Sequence, residues 1–318
     1  MAACSDWTEP ESANPTDMVK SIKTETYYAN LRAYKARKHA VTYAKWAGWT
    51  GTGSVLNTQL IGLPDSLDIV GLIRGYEDMT EDKRTDLLAV QQNKGTKVVL
   101  TVPTEDLLDG LFSGGSAEEA EAFVQEVAKI VDECGLDGVD IELNQIDEEA
   151  TASPESTQWL EALAGALTSR FGPSSNTGKL LLFSGNPAYL PAALAPAFNY
   201  LVTYAFGSAT DQALDEKFLS LAEHFASVYT PEDLAQHLIL MEDFEANTNG
   251  GVLFKDRFAN TMFSLEGMAR WLPVIGGHQA DKGGVGVYHL EKEYIMEGQA
   301  STYPFTHNAI QILNPSIK

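Results

Sequence analysis

The sequence has few cysteines, few basic residues and no long apolar run. Only two of its 318 residues are cysteine, which argues against a disulfide framework. Lys and Arg number 22 against 44 Asp and Glu, so the formal net charge is −22. That balance argues against binding to nucleic acid and to anionic membranes, both of which attract basic proteins. No apolar stretch approaches the roughly 18 residues of a membrane-spanning helix, and a neutral partner such as a sugar or a peptide is left open.

Signs of a metal or nucleotide site are also missing. The histidines are scattered at positions 39, 224, 237, 278, 289 and 307, and no His/Cys group has the spacing of metal ligands. No G-x-G-x-x-G motif follows the first predicted strand, and there is no P-loop. We therefore expect no metal and no organic cofactor.

The two cysteines differ in their surroundings. Cys134 closes an amphipathic stretch, which predicts a small buried side chain. Cys4 follows Met-Ala-Ala and precedes a polar run to Pro15, which resembles the end of a bacterial lipoprotein signal. We therefore expect residues 1–15 to form a flexible tether, with Cys4 lipidated and the protein anchored to the outer membrane, at the cell surface or in the periplasm. The alternative is a cytoplasmic N-terminus with an accidental cysteine.

From residue 16 onward the pattern predicts one α/β domain, 16–318. A helix is predicted over residues 16–38, with Met18, Ile22, Leu31 and Tyr34 on its apolar side. Eight short runs rich in Val, Ile and Leu then alternate with helical stretches, which favours a (β/α)8 TIM barrel over an open sheet. The predicted strands are Ala40–Tyr43, Leu67–Ile73, Lys97–Val102, Gly138–Leu143, Lys179–Ser184, Tyr200–Ala205, His237–Glu242 and Gly284–Leu290, and the helices cover about 80–93, 117–134, 155–171, 212–226 and 260–272.

Active sites of such barrels lie at the carboxyl ends of the strands. Lys45 follows the first predicted strand, and the residues after the other strands mix aromatics, amides and carboxylates. Aromatic rings stack on the C–H faces of sugars, and the polar groups bond hydroxyls, so the mixture favours carbohydrate. The aromatic candidates for glycan binding are Trp46, Trp49, Tyr204 and Tyr288.

The fourth predicted strand has the most specific motif. Because side chains alternate along a strand, Asp140, Glu142 and Asn144 share one face with Gly138. Three polar groups on the inner face of a central strand are costly unless they are paired or used.

This segment, Leu-Asp-Gly-Val-Asp-Ile-Glu-Leu-Asn over residues 136–144, resembles the D-G-x-D-x-D-x-E signature of family 18 glycoside hydrolases, the chitinases and endo-β-N-acetylglucosaminidases. Other segments look like the Bacteroidetes branch of that family: 27–35, 39–51, 63–70, 202–204 and 283–288. The resemblance implies a TIM barrel that acts on N-acetylglucosamine linkages. It also implies retaining chemistry in which the substrate's own acetamide oxygen is the nucleophile.

Carried onto this sequence, the resemblance places the proton-donating acid at Asn144 and the acetamide-orienting carboxylate at Glu142. Asp140 matches the deeper Asp, and Tyr204 matches the tyrosine that bonds the acetamide oxygen. An amide has no proton to give, so Asn144 cannot act as the general acid. Glu142 is longer than the usual Asp by about 1.5 Å, one carbon–carbon bond. Both departures predict that hydrolysis is lost.

Three hypotheses follow. The first is a non-catalytic barrel that binds N-acetylglucosamine glycans, of the N-glycan core or chitin type, and passes them to neighbouring outer-membrane uptake proteins. The second is an active hydrolase with a relocated acid. The third is a scaffold that keeps only the fold. The candidate replacement acids are Asp147, Glu148, Glu149, Glu242 and Asp243.

Overall fold

The computed structural model describes residues 23–113, 115–144 and 153–315, apart from the side chains of residues 109–113. The predicted tether with Cys4, the positions Met18 and Ile22, and the acidic residues 147–149 lie outside the described residues. In the described part, no helix is long and apolar enough to cross a membrane.

The described residues contain nine α-helices and twelve strands, besides six short 3-10 or π-helical segments. The helices are α1 Glu25–Lys35, α2 Glu81–Ala89, α3 Thr104–Ser113, α4 Ala117–Cys134, α5 Pro154–Thr168, α6 Asp211–His224, α7 Pro231–His237, α8 Ser264–Arg270 and α9 Pro304–Leu313. The strands are β1 Val41–Trp46, β2 Ile69–Leu72, β3 Lys97–Val102, β4 Gly138–Leu143, β5 Leu180–Gly185, β6 Tyr200–Tyr204, β7 Leu238–Asp243, β8 Leu253–Lys255, β9 Thr261–Phe263, β10 Val274–Ile275, β11 His278–Gln279 and β12 Gly284–Tyr288.

Eight of these strands close into a parallel barrel in the order β1-β12-β7-β6-β5-β4-β3-β2. The ring closes where β1 pairs with β12, with Val41 opposite Gly284. The remaining four strands form two small antiparallel hairpins between β7 and β12. The architecture is a single (β/α)8 barrel, so the predicted fold is confirmed, and each of the eight predicted strands overlaps a barrel strand.

Two apolar layers form because side chains alternate across each barrel strand. The larger layer lies between the strands and the surrounding helices and includes Ala44, Trp46, Val139 and Ile141. The smaller layer lies inside the barrel and includes Tyr43. Packed side chains therefore fill the barrel from the amino end up to the polar residues of the candidate site.

Two predicted helices have different limits in the structure. Of the helix predicted over 16–38, the described residues contain Glu25–Lys35, which is capped at Thr24, whose hydroxyl accepts the backbone N–H of Tyr27; residues 16–22 lie outside the described residues. The helix predicted over about 260–272 is shorter, since its first residues pair as β9 with β8 and the helix covers Ser264–Arg270. Neither difference changes the barrel.

One glycine shapes the barrel interior. A Cβ on Gly71 of β2 would lie 2.3 Å from the hydroxyl oxygen of Tyr43 and 2.9 Å from that of Thr101. The missing side chain therefore leaves room for the Tyr43 ring to cross the barrel and reach β4. There its hydroxyl donates to Asp140 Oδ2 at 2.6 Å.

Candidate functional site

The carboxyl end of the barrel contains a buried polar cluster made of Lys45, Asp140, Glu142, Ser184 and Tyr204. These side chains come from β1, β4, β5 and β6, and all point inward. The alternation predicted for β4 is therefore correct for Asp140, which has no exposed surface, and for Glu142, which is 9% exposed. The cluster lies where family 18 enzymes are expected to carry out their chemistry.

Lys45 lies at the centre of this buried polar cluster. Its ammonium donates to Glu142 Oε2 at 2.6 Å, to Ser184 Oγ at 2.8 Å and to the Tyr204 hydroxyl at 2.8 Å. Asp140 Oδ2 lies 3.1 Å away as an ion-pair partner. Burial alone would lower the pKa of Lys45, but Asp140, Tyr204 and Glu142 outweigh it and hold that pKa well above its ordinary value. These neighbours therefore favour the charged form of the lysine.

Asp140 accepts hydrogen bonds from two hydroxyl groups at the inner end of the cluster. In addition to Tyr43, the Ser184 hydroxyl donates to its Oδ2 at 3.0 Å. Two carboxylates and one ammonium give the cluster a formal charge of −1 if both acids are ionised. Such a buried arrangement is stable only while every charge keeps its partner.

An aromatic wall of Tyr204, Phe206 and Tyr288 rises next to the cluster. The Tyr204 and Phe206 rings stack with centroids 4.4 Å apart, and Tyr288 lies 5.7 Å from Tyr204 at an angle of 30°. Lys45 Nζ is 5.4 Å from the ring centroids of both tyrosines. Burial and the nearby Glu142 raise the pKa of Tyr288 to about 12, so its hydroxyl stays protonated and can donate. Half-buried Phe206 and Tyr288 offer apolar surface toward the open end.

Asp243 and His289 form a pair beside this wall. His289 Nδ1 lies 2.6 Å from Asp243 Oδ1, and its ring lies 4.2 Å from that of Tyr288. Burial lowers the pKa of His289, but the contact with Asp243 outweighs this and raises it. His289 also has a positive φ of 57°, which is uncommon outside glycine and often found at functional sites. The sequence places both residues at strand ends, but it identified only Asp243 as a candidate replacement acid.

Asn144 lies just past the end of β4 and is half-buried. Its backbone N–H donates to Thr104 Oγ1 at 3.1 Å, and that hydroxyl donates to the carbonyl of Glu142 at 3.2 Å. The start of α3 therefore fixes the end of β4. In this arrangement the position that the resemblance assigns to the acid presents an amide.

The structure does not place Trp46 and Trp49 at the site. Trp46 is 0% exposed and packs in the outer apolar layer, on the opposite face of β1 from Lys45. Trp49 is 2% exposed, and its indole N–H donates to Asp86 Oδ2 at 2.9 Å. Neither ring offers a face to a sugar, which corrects the expected placement of both.

Glu242 also points away from the barrel interior. It accepts hydrogen bonds from the Ser264 hydroxyl and from the backbone N–H groups of Gly207 and Asp243. Burial raises its pKa, but these three donors tie it to the barrel wall. Glu242 is therefore not placed to act as the replacement acid, and Asp243 is the described candidate that faces the site.

Replacing Trp49 by phenylalanine is expected to lower stability and leave glycan affinity unchanged. Asp86 also accepts the backbone N–H groups of Leu60 and Ile61, so the indole is one of three donors that anchor the loop after β1. Loss of a hydrogen bond to a buried carboxylate costs about 1.5–3 kcal/mol. Urea unfolding and glycan titration of the same variant measure the two effects. A loss of glycan affinity without a loss of stability would contradict this prediction and indicate that Trp49 contacts the glycan.

The sequence prediction missed the role of Lys45, although it noted that residue after the first strand. A charged side chain between Ala44 and Trp46, on a strand otherwise buried on both faces, is the signal that was available. Its hydrogen-bond partners Glu142, Ser184 and Tyr204 are 97 to 159 residues away in sequence, so only the closed barrel brings them together. Among the described residues, no group of three or more His, Cys, Asp or Glu side chains is arranged to hold a metal.

Comparison with known proteins gives consistent matches over nearly the whole chain. Residues 8–312 match the family described as glycoside hydrolase family 18, BT1044-like. The endo-beta-N-acetylglucosaminidase F2 of Elizabethkingia meningoseptica is 27% identical over 308 residues, covering 90% of this chain and 85% of that protein.

Solved structures have the same fold at lower identity. BT1044 in its selenomethionine form superposes with a TM-score of 0.73 at 20% identity, covering 95% of this chain and 96% of that one. An endo-beta-N-acetylglucosaminidase from Cordyceps militaris, in complex with fucosyl-N-acetylglucosamine-Asn, gives 0.70 at 22% identity, covering 93% and 98%.

Proposed function

Because this chain belongs to glycoside hydrolase family 18, in its BT1044-like group, we propose that it binds glycans containing N-acetylglucosamine at the carboxyl end of its barrel without hydrolysing them. The choice of sugar rests on relatives. One is named an endo-beta-N-acetylglucosaminidase, and another was solved with fucosyl-N-acetylglucosamine-Asn.

The observation that carries the loss of hydrolysis is the position of Lys45. The resemblance assigns Glu142 and Tyr204 to the substrate's acetamide, and the Lys45 ammonium binds both of them. Substrate-assisted hydrolysis needs the acetamide oxygen to be held there as the nucleophile. The Lys45 ammonium occupies the position where the acetamide oxygen would bind, and residue 144 is an amide. The site therefore lacks both a binding position for the nucleophile and a proton donor.

A glycan then binds above the cluster rather than inside it. Phe206 and Tyr288 provide apolar surface on which a pyranose ring stacks. The Tyr288 hydroxyl, the Asn144 amide and the Asp243 carboxylate lie at the same end of the barrel and supply donors and acceptors for sugar hydroxyls. Below this surface, Lys45 holds the buried polar cluster together, so that the glycan does not enter the barrel interior.

Replacing Tyr288 by alanine is expected to weaken glycan binding by about 2 kcal/mol, a factor of about 30, because an aromatic anchor is removed. Calorimetric titration with a chitooligosaccharide and with an N-glycan measures the change. The matched control is Tyr27→Ala, which removes a tyrosine of α1, on the outside of the barrel.

The same preparation is incubated overnight with an N-glycoprotein, and released glycan is measured. Binding without release supports the proposal, and release at ordinary enzyme rates contradicts it. Neither binding nor release supports a scaffold. Equal weakening in the Tyr288 and Tyr27 variants would place the glycan elsewhere.

One observation favours the second candidate, a hydrolase with a relocated acid. The Asp243–His289 pair lies beside the aromatic wall, and an imidazolium held by a carboxylate can donate a proton. If this candidate is correct, the wild type releases glycan and the His289→Ala variant does not. We place this candidate second, because the Asp243–His289 pair supplies a proton donor but no binding position for the acetamide oxygen.

We also propose that the protein is lipid-anchored through Cys4 and works beside outer-membrane glycan-uptake proteins. The support is the sequence around Cys4 and the polar run that follows it. We expect the protein, expressed from its full gene, to incorporate labelled palmitate. We expect the Cys4→Ser variant to lose this label. Labelling that persists in the variant would end the proposal.

A further inference from the structure

A large cavity lies at the opposite end of the barrel from the candidate site, and we name it the amino-end cavity. Its volume is about 1290 Å³. Its wall takes in the first residue of each of the eight barrel strands or the residue just before it, together with parts of α1, α8 and α9. The cavity therefore lies across the amino end of the barrel, and its volume exceeds the roughly 300–1,000 Å³ that is usual for a small-molecule site.

The charges around this cavity are opposite to those of the rest of the chain. Seven of the 22 Lys and Arg residues line it, but only three of the 44 Asp and Glu residues do. Two of those three acids already have partners, since Asp68 binds His39 at 2.9 Å and Asp137 binds Lys97 at 2.9 Å. Three of the seven cations also have acidic partners, namely Arg32 with Glu25, Arg270 with Glu266 and Lys97 with Asp137. The remaining cations, Lys35, Arg37, Lys38 and Lys282, outnumber the remaining acid, Asp281, in a protein whose net charge is −22.

Two of the lysines are held in place without a charge partner within hydrogen-bonding distance. Lys35 donates to the carbonyl of Leu67 and to the Thr96 hydroxyl, and Lys282 donates to the carbonyls of Ala269 and Trp271. Burial lowers the pKa of Lys35 to about 8 and that of Lys282 to about 7. An anion bound in the cavity would raise both pKa values and favour the charged form of each lysine.

Two further cations stand at the rim. Arg37 is exposed and, within the part of the chain that the structure describes, its guanidinium has no hydrogen-bond or ion-pair partner. Lys38 is also exposed, and it donates to the amide oxygen of Gln236. A guanidinium with free N–H groups binds phosphate and carboxylate in a two-point geometry.

We infer that the amino-end cavity binds a small polyanion that carries at least two phosphate or carboxylate groups. Such a ligand fits within the cavity and matches the excess of positive charge and the free Arg37 guanidinium. A neutral glycan would leave that charge uncompensated. The site is separate from the glycan surface and does not depend on the proposed function.

Calorimetric titration of the full chain with sodium tripolyphosphate, and separately with citrate, tests the inference at pH 7, low salt and no divalent metal. One site per chain is expected for at least one of the two anions. Arg37→Ala/Lys38→Ala is expected to weaken it about tenfold or more, because charge-assisted hydrogen bonds are lost at an exposed rim. Stronger binding of one anion than the other identifies phosphate or carboxylate as the preferred group.

The matched control is Lys129→Ala/Lys217→Ala, which removes the same charge from exposed positions on α4 and α6. This variant is expected to keep wild-type affinity. No binding of either anion by the wild type at millimolar concentration would overturn the inference. Equal weakening by both variants would also overturn it, since it would show attraction by net charge alone.

Discussion

Replacing Lys45 by methionine is expected to lower the free energy of unfolding by about 3–5 kcal/mol, the usual cost of removing one partner from a buried ion pair. The variant leaves Asp140 and Glu142 facing each other in the barrel interior, with Ser184 and Tyr204 losing a donor as well. Methionine preserves most of the side-chain volume, so the loss reports charge rather than packing. Urea unfolding at pH 7, followed by tryptophan fluorescence, measures it.

The control for this variant removes a negative charge along with the lysine. Lys45→Met/Glu142→Gln has the same formal charge in the cluster as the wild type, and it is expected to recover about 2 kcal/mol or more of the loss. The Glu142→Gln single variant completes a double-mutant cycle. If the Lys45→Met variant is as stable as the wild type, the lysine is not bound as the structure shows.

The second large effect concerns catalysis. We expect no glycan release by the wild type, little by Asn144→Glu, and at least about tenfold more by Glu142→Asp/Asn144→Glu than by Asn144→Glu alone, a difference of about 1.4 kcal/mol in barrier height. A glutamate at position 144 restores a proton donor, a role that contributes about 10²–10⁴-fold to the rate. The Glu142 carboxylate would still be bound to Lys45, at 2.6 Å.

Shortening position 142 withdraws its carboxylate by about 1.5 Å, one carbon–carbon bond, and breaks that contact. The carboxylate at position 142 is then free to orient an acetamide, while the ammonium keeps its contacts with Ser184 and Tyr204. Effects within such a unit are not additive, which is why the double variant is expected to exceed the single one. Release of a labelled N-glycan is measured for the wild type, both single variants and the double variant. Equal rates in Asn144→Glu and the double variant would show that Glu142 is already well placed.

Much of the fold could be predicted because each barrel strand is marked by the residues within its own short segment of sequence. Parallel strands buried on both faces are continuous apolar runs, and the runs at 97–102 and 138–143 match the observed strands residue for residue. Alternation on β4 likewise placed Asp140 and Glu142 in the interior. The apolar pattern did not indicate the cap at Thr24, which lies inside the predicted span 16–38 and starts α1 at Glu25.

The site could be predicted only in part, because side-chain direction depends on register across the barrel. Trp46 was expected at the site together with Lys45, its neighbour in sequence, but the two point to opposite faces of β1. The partners of Lys45 are on β4, β5 and β6, across the barrel interior. No pattern within one strand identifies such partners.

The closure of β1 on β12 has a consequence for how the protein forms. These strands are about 240 residues apart in sequence, so their pairing has a very high contact order and closes late. While a nascent chain is still being made, Lys45 is already present but its strand has only one neighbour, β2. Its ammonium then remains hydrated until the last strand is available. Final desolvation of Lys45 and completion of the barrel are therefore expected as one cooperative step late in folding.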